Sequence, residues 1–134
     1  MRDERELTFP ADPDGARDAA LAVRDLLASV DPAVAGACEI AVMEACANVV
    51  EHAYRQPGGS FRVVLRLSRA RFSAAVCDAG QPFDASGLSS ALPEETSEGG
   101  RGLALLDRCM DRLEWRRVEG ENRLLMTRSL AAAP

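Results

Sequence analysis

The chain predicts an α+β fold: a two-layer sandwich in which a mixed, mostly antiparallel sheet is covered on one face by about three helices. Three observations carry this. Two long helical patterns follow one another with no strand between them. The strand patterns come mainly as adjacent pairs joined by short turns. Helices and strands do not alternate in the way a doubly wound parallel sheet requires. With 134 residues, 47% hydrophobic and 28% charged, the chain reads as one domain, residues 1–134, long enough to bury a core.

Glu6 to Phe9 reads as a short strand. Asp12-Pro13 then gives an N-cap residue with Pro in the first helical position. Ala16, Ala19, Ala20, Val23, Leu26, Leu27 and Val30 recur at helical spacing, an amphipathic helix of about five turns. Asp31-Pro32 repeats the start signal, and a central helix runs to about Tyr54, where Gln56-Pro57-Gly58-Gly59 stops it. In Phe61 to Ser68, Phe61, Val63, Leu65 and Leu67 share a face opposite Arg62 and Arg66. Ser68-Arg69-Ala70 turns the chain into Arg71 to Asp78, with Phe72, Ala74 and Val76 on one side, so the two runs form an antiparallel hairpin. Ala79 to Gly100 has no sustained periodicity. A loop this long inside a small domain points to function or disorder. A helix starts directly after Gly99-Gly100-Arg101-Gly102, with Leu103, Leu106, Cys109 and Met110 at helical spacing. Leu113 to Val118 and Arg123 to Leu130 are two more strands, joined at Glu119-Gly120-Glu121-Asn122, and Ala131 to Pro134 frays.

Composition excludes several functions. All 16 basic residues are Arg, which rules out a phosphate loop built on Lys. The net charge of −5 and the scatter of the Arg residues argue against a nucleic-acid surface. The opening MRDERELTF has no apolar core of a secretory signal, and the longest uncharged apolar run is far short of a bilayer span, so a cytoplasmic protein without membrane contact is expected. Cys38, Cys46, Cys77 and Cys109 form no CxxC pair and sit in apolar runs, as buried reduced thiols do. The single His argues against a Cys/His zinc site.

Three constellations remain. On the central helix, Glu44, Asn48, Glu51 and His52 fall within roughly a 100° arc, with Ala37, Ile40 and Ala41 on the same side. Elsewhere that helix is apolar almost all round, the mark of a buried helix. A carboxylate and an amide on its inward face are costly to bury unpaired. Either backbone groups satisfy them or they line a wet cavity. The second constellation is Asp78-Ala79-Gly80 at a strand end. There an Asp accepts from an exocyclic amine and a Gly lets a flat ring approach. The third is Gly99-Gly100-Arg101-Gly102 before a helix, where exposed N–H groups favour an anion.

Together these residues resemble a known family. EACANVVEHAY is similar to the N box of the GHKL ATPases (gyrase, histidine kinases, MutL), DAGQPFD to their first glycine box and EGGRGLALLDRCMD to their second. Within that superfamily the HAY ending, the PFD form and the short lid are most similar to the bacterial anti-sigma factor serine kinases of the RsbW and SpoIIAB type. The resemblance runs from the first strand to Thr127. It implies the Bergerat ATP-binding fold, with ATP and Mg2+ as ligands. Glu44 would be the general base and Asn48 the Mg2+ ligand. Asp78 would bind the adenine amino group, with Gly80 beneath the ring and Thr127 supporting it. Gly100, Gly102 and Leu103 would meet the phosphates, Arg101 would either reach a phosphate or face solvent, and residues 83–99 would form the ATP lid.

The resemblance implies a serine/threonine protein kinase that sequesters a sigma factor and phosphorylates an anti-anti-sigma protein of the STAS type, as a homodimer. The absence of a preceding dimerisation helix with a phosphoacceptor His argues against a histidine kinase. The alternatives are an ATP-binding module that switches partners without kinase activity, and an interaction domain with a degenerate pocket. Gln81-Pro82 replaces the second glycine usual in the superfamily, which stiffens that hinge and favours the anti-sigma subgroup. His52 reads as a structural histidine near the helix end, and Tyr54 and Trp115 as core or interface aromatics.

Overall fold

The structure, a computed structural model, describes residues 2–53, 58–80 and 98–130; of residues 2 and 98–103 it describes the backbone alone. The elements are β1 (Arg2–Pro10), α1 (Pro13–Leu26), α2 (Pro32–Asn48), β2 (Ser60–Ser68), β3 (Arg71–Asp78), α3 (Glu98–Cys109), β4 (Arg112–Val118) and β5 (Glu121–Ser129). The five strands form one sheet in the order β1-β2-β3-β5-β4. All four pairings are antiparallel, so the α+β expectation is met, with no parallel component among the described residues.

The Asp-Pro signals start both long helices. Asp12 accepts from the Gly15 N–H at 2.7 Å and Asp31 from the Val34 N–H at 3.3 Å, caps worth about 1 kcal/mol each. The apolar stripe of α1 (Ala16, Ala19, Val23, Leu26) is buried. It packs with Cys38, Val42 and Cys46 of α2 and Leu106 of α3 onto Phe61, Val63, Leu65, Phe72, Val76, Leu124 and Met126 of the sheet. Burying each large side chain contributes roughly 1.5–3 kcal/mol. Trp115 is half-buried at the edge of this core.

β1 is longer than its apolar pattern suggests. The whole strand pairs residue for residue with β2, Arg2↔Ser68 to Pro10↔Ser60, and the charges of its first half find partners: Glu4 with Arg66 at 2.8 Å, Glu6 with Arg62 at 3.3 Å, and Arg5 with Asp25 at 2.9 Å. Such charges on an edge strand also discourage pairing with another chain.

One expectation for α2 is corrected. Ile40 (47% exposed) and Met43 (44%) face outward, so the helix is buried on its sheet side and not all round. Pro32–Ala53 is also long and apolar enough, at 22 residues and hydropathy 1.6, to cross a membrane by length and composition alone. The core helix of a soluble protein passes the same test, and Cys38, Ala41, Val42, Ala45 and Cys46 are taken up by this core.

The four cysteines are free and buried. Burial pushes the Cys38 thiol up to about 11 and raises Cys46 and Cys77 as well. Cys77 alternates onto the sheet face away from the helices. There Glu121 is bound by Arg62 at 3.0 Å and Arg123 at 2.7 Å. Burial pushes the Glu121 carboxyl up, but the donors from Arg123 and Arg62 outweigh this and hold it below the ordinary 4.5. A depressed folded-state value stabilises the fold above the ordinary value, and that stability is lost as pH falls through the folded value. Glu121→Gln is therefore expected to be less stable than wild type at pH 7. The gap should close on acidification below about 4.5, as read from denaturant midpoints at a series of pH values.

Candidate functional site

The site is built at one end of the sheet, around Asp78, the last residue of β3. Asp78 is 7% exposed. Its Oδ1 accepts from the Gly80 backbone N–H and from the Asn122 Nδ2, both at 2.9 Å. Asn122 lies directly across from Asp78 in the β3–β5 register. Arg117 of β4 stands opposite Asn122 and donates to the Asn122 Oδ1 and the Gly80 carbonyl, both at 2.9 Å. Every enclosed side-chain polar atom among the described residues has a partner. The Asp78 Oδ2 has no hydrogen bond among them, so it keeps an open side from which to accept a donor.

Gly80 touches the end of the central helix. A Cβ built on it would lie 2.1 Å from the Ala53 carbonyl oxygen and 2.6 Å from its carbon. The glycine is needed for this backbone approach, a requirement separate from the ring approach expected from the sequence. Ala53 closes a π-helical turn, Val49–Ala53, and such turns concentrate at functional sites.

The π turn also breaks the predicted polar stripe, because the wider turn takes later residues off the regular 100° spacing. Glu44 and Asn48 are half-buried, whereas Glu51 and His52 are exposed. His52 lies 3.4 Å from Glu51 and is not packed into the core. The Glu44 and Asn48 side chains make no hydrogen bond or ion pair among the described residues. At 1.5 Å per residue they stand about 14 Å and 8 Å before Ala53 along the axis, a span comparable to an extended nucleoside triphosphate.

The glycine cluster is placed differently from the sequence reading. Gly99, Gly100, Arg101 and Gly102 lie inside the first turns of α3, which begins at Glu98, so their backbone N–H groups belong to a helix N-terminus. Leu103 follows in the same helix. Apart from Glu98 and Gly99, the expected lid, residues 83–99, lies outside the described residues, as do Tyr54 and Gln81-Pro82.

Thr127 is not brought to Asp78. It pairs with Ser73, five register positions away, about 16 Å along the strand. That odd offset also places it on the opposite face of the sheet.

A sequence profile described as "Histidine kinase-like ATPase domain" matches residues 9–128. The chain belongs to this family. Among curated relatives of this histidine kinase-like ATPase domain, the serine-protein kinase RsbW of Halalkalibacterium halodurans is 37% identical over 90 residues, 61% of this chain and 55% of the relative. That of Bacillus cereus is 35% identical over 98 residues, 67% of this chain and 61% of the relative. The aligned part thus spans little more than half the length of these relatives. Among solved structures, the RsbU and RsbW domains of Rv1364c from Mycobacterium tuberculosis superpose with a TM-score of 0.69 at 22% identity, covering 95% of this chain and 32% of that one. The histidine kinase domain of the Erythrobacter litoralis EL346 blue-light activated kinase superposes with a TM-score of 0.51 at 17% identity, covering 90% of this chain and 61% of that one. Both share the fold.

In this histidine kinase-like ATPase domain, sequence reasoning missed Asn122 and Arg117. The signal was present but needed the register. Counting back from the Glu119-Gly120 turn pairs Arg117 with Asn122, and β3–β5 pairing then puts Asn122 against Asp78.

Proposed function

We propose that the chain is an ATP-dependent serine/threonine protein kinase acting as a cytoplasmic anti-sigma factor. It would sequester a sigma factor and phosphorylate a STAS-type anti-anti-sigma protein, and it would work as a homodimer. The observation that carries the reading is the pairing of an Asp78 oxygen at the sheet end with Glu44 and Asn48 one nucleotide length away on α2, all three without a hydrogen-bond partner among the described residues. The similarity to serine-protein kinases named RsbW supports the choice of acceptor.

In this mechanism Asp78 Oδ2 accepts from the adenine amino group, and the α3 N-terminus presents N–H donors to phosphate oxygens. Glu44 takes the proton from the attacking Ser or Thr hydroxyl as its oxygen bonds to the γ-phosphorus and the bond to the β-phosphate oxygen breaks, leaving ADP and phosphoprotein. The Asn48 amide oxygen suits Mg2+, a hard cation that prefers oxygen ligands and keeps several waters. When bound, Mg2+ would supply charge neutralisation on the phosphates.

The test is transfer of labelled γ-phosphate from Mg-ATP to a cognate STAS protein. Label on a Ser or Thr of the partner is expected. Saturable ATP binding with no labelled partner would favour the non-kinase switch, and no ATP binding would overturn both.

A further inference from the structure

We infer that Arg117 and Asn122 are positioning residues that determine base specificity, making Asp78 a carboxylate that reads with one oxygen only. This rests on the nucleotide reading above and adds how the site would select adenine over guanine.

A free carboxylate suits guanine well. The N1–H and 2-amino group lie side by side on one edge and meet both oxygens of an Asp together. Adenine offers one amine beside a ring nitrogen that is itself an acceptor, so it needs a single carboxylate oxygen. In this chain Asp78 Oδ1 already receives two donors, Gly80 N–H and Asn122 Nδ2, each at 2.9 Å. Two donors fill the acceptor capacity of one oxygen. Only Oδ2 is left, which serves adenine and denies guanine its paired contact. An unpaired donor at a buried edge is costly, and this asymmetry gives selectivity.

Arg117 makes the arrangement single-valued. Rotating the Asn122 amide by half a turn would set its oxygen against the Asp78 carboxylate. A guanidinium can only donate, and Arg117 Nη1 holds the Asn122 oxygen at 2.9 Å, so the amide nitrogen faces Asp78. The same nitrogen holds the Gly80 carbonyl at 2.9 Å, fixing the residue whose N–H is the second donor. One exposed cation therefore orients both groups that occupy Oδ1.

The test is calorimetric titration of the whole chain with Mg-ATP and with Mg-GTP, for wild type, Arg117→Ala, Arg117→Lys and Asn122→Ala, with thermal midpoints measured alongside. Arg117 is exposed, so its removal leaves the core intact. Arg117→Ala is expected to lower the ratio of ATP to GTP affinity about tenfold, because a released Asp78 Oδ1 admits the second guanine donor while adenine keeps Oδ2. Asn122→Ala should act in the same direction, and Arg117→Lys should restore most of the preference. Equal weakening of both nucleotides, or unchanged affinities in both Ala variants, would overturn the inference and leave the nucleotide reading standing. A wild type that binds ATP with no preference over GTP would also overturn it. A wild type that binds neither would remove the nucleotide reading, and this inference with it.

Discussion

Glu44→Gln is expected to bind ATP with near wild-type affinity and to lose phosphate transfer by a factor of about 100 or more, the range for removing a general base. The substitution keeps the side-chain shape and removes only the ability to take a proton. Structural side effects are limited by two facts: Glu44 is half-buried and it has no hydrogen bond among the described residues to lose. The melting temperature should stay close to wild type. The measurement pairs single-turnover transfer to the STAS protein with ATP titration, because the proposal predicts that they separate. Transfer within about twofold of wild type would show that another group takes the proton. Joint loss of binding and transfer would instead assign Glu44 to holding nucleotide.

Gly80→Ala should have the largest structural effect in the site. The new Cβ would meet the Ala53 carbonyl oxygen at 2.1 Å, its carbon at 2.6 Å and its Cβ at 2.7 Å. These are main-chain or stub atoms that no rotamer change can move aside, so the β3 end and the helix end must separate. Overpacking of this kind costs about 1–3 kcal/mol. The separation would also stretch the Gly80 N–H bond to Asp78 and the Arg117 bond to the Gly80 carbonyl. ATP affinity is therefore expected to fall by about tenfold or more, the loss of one hydrogen bond to a charged group. Gly36→Ala is the control. It lies on α2 and has nothing within 4 Å of the added carbon, so it should stabilise the chain by about 0.5–1 kcal/mol. If Gly80→Ala unfolds at the wild-type midpoint and binds ATP normally, the contact with Ala53 is not a constraint.

Local chemistry made much of the fold legible. The Asp-Pro starts of α1 and α2 were readable because capping acts within four residues. The β2–β3 hairpin was readable because its alternation matches a half-buried sheet. The first half of β1 was not, because residues 2–5 extend the strand only by pairing with partners some sixty positions away in β2, Arg2↔Ser68 to Arg5↔Leu65, beyond any local pattern. The stripe on α2 was projected through Glu51 and His52 as regular helix, and a π turn beginning at Val49 leaves no obvious trace in composition. Site residues divide the same way. Asp78, Gly80, Glu44 and Asn48 were found from short motifs. Asn122 was missed, and Thr127 was put beside the adenine by family pattern, because only the β3–β5 register distinguishes a position across from Asp78 from one five steps away on the other face.

The Asn122–Arg117 clamp has a consequence for the order in which a nascent chain matures. Residues up to Asp78 supply two of the three helices, with Glu44 and Asn48, and three of the five strands, yet the carboxylate at the end of β3 has its full set of partners only after the β4–β5 hairpin has left the ribosome and added itself to the sheet. Chains are made from the N-terminus and fold as they emerge. On the proposed reading, competence to hold a nucleotide therefore arrives with β5, and a partly made chain would carry the helix with Glu44 without the means to select what it acts on.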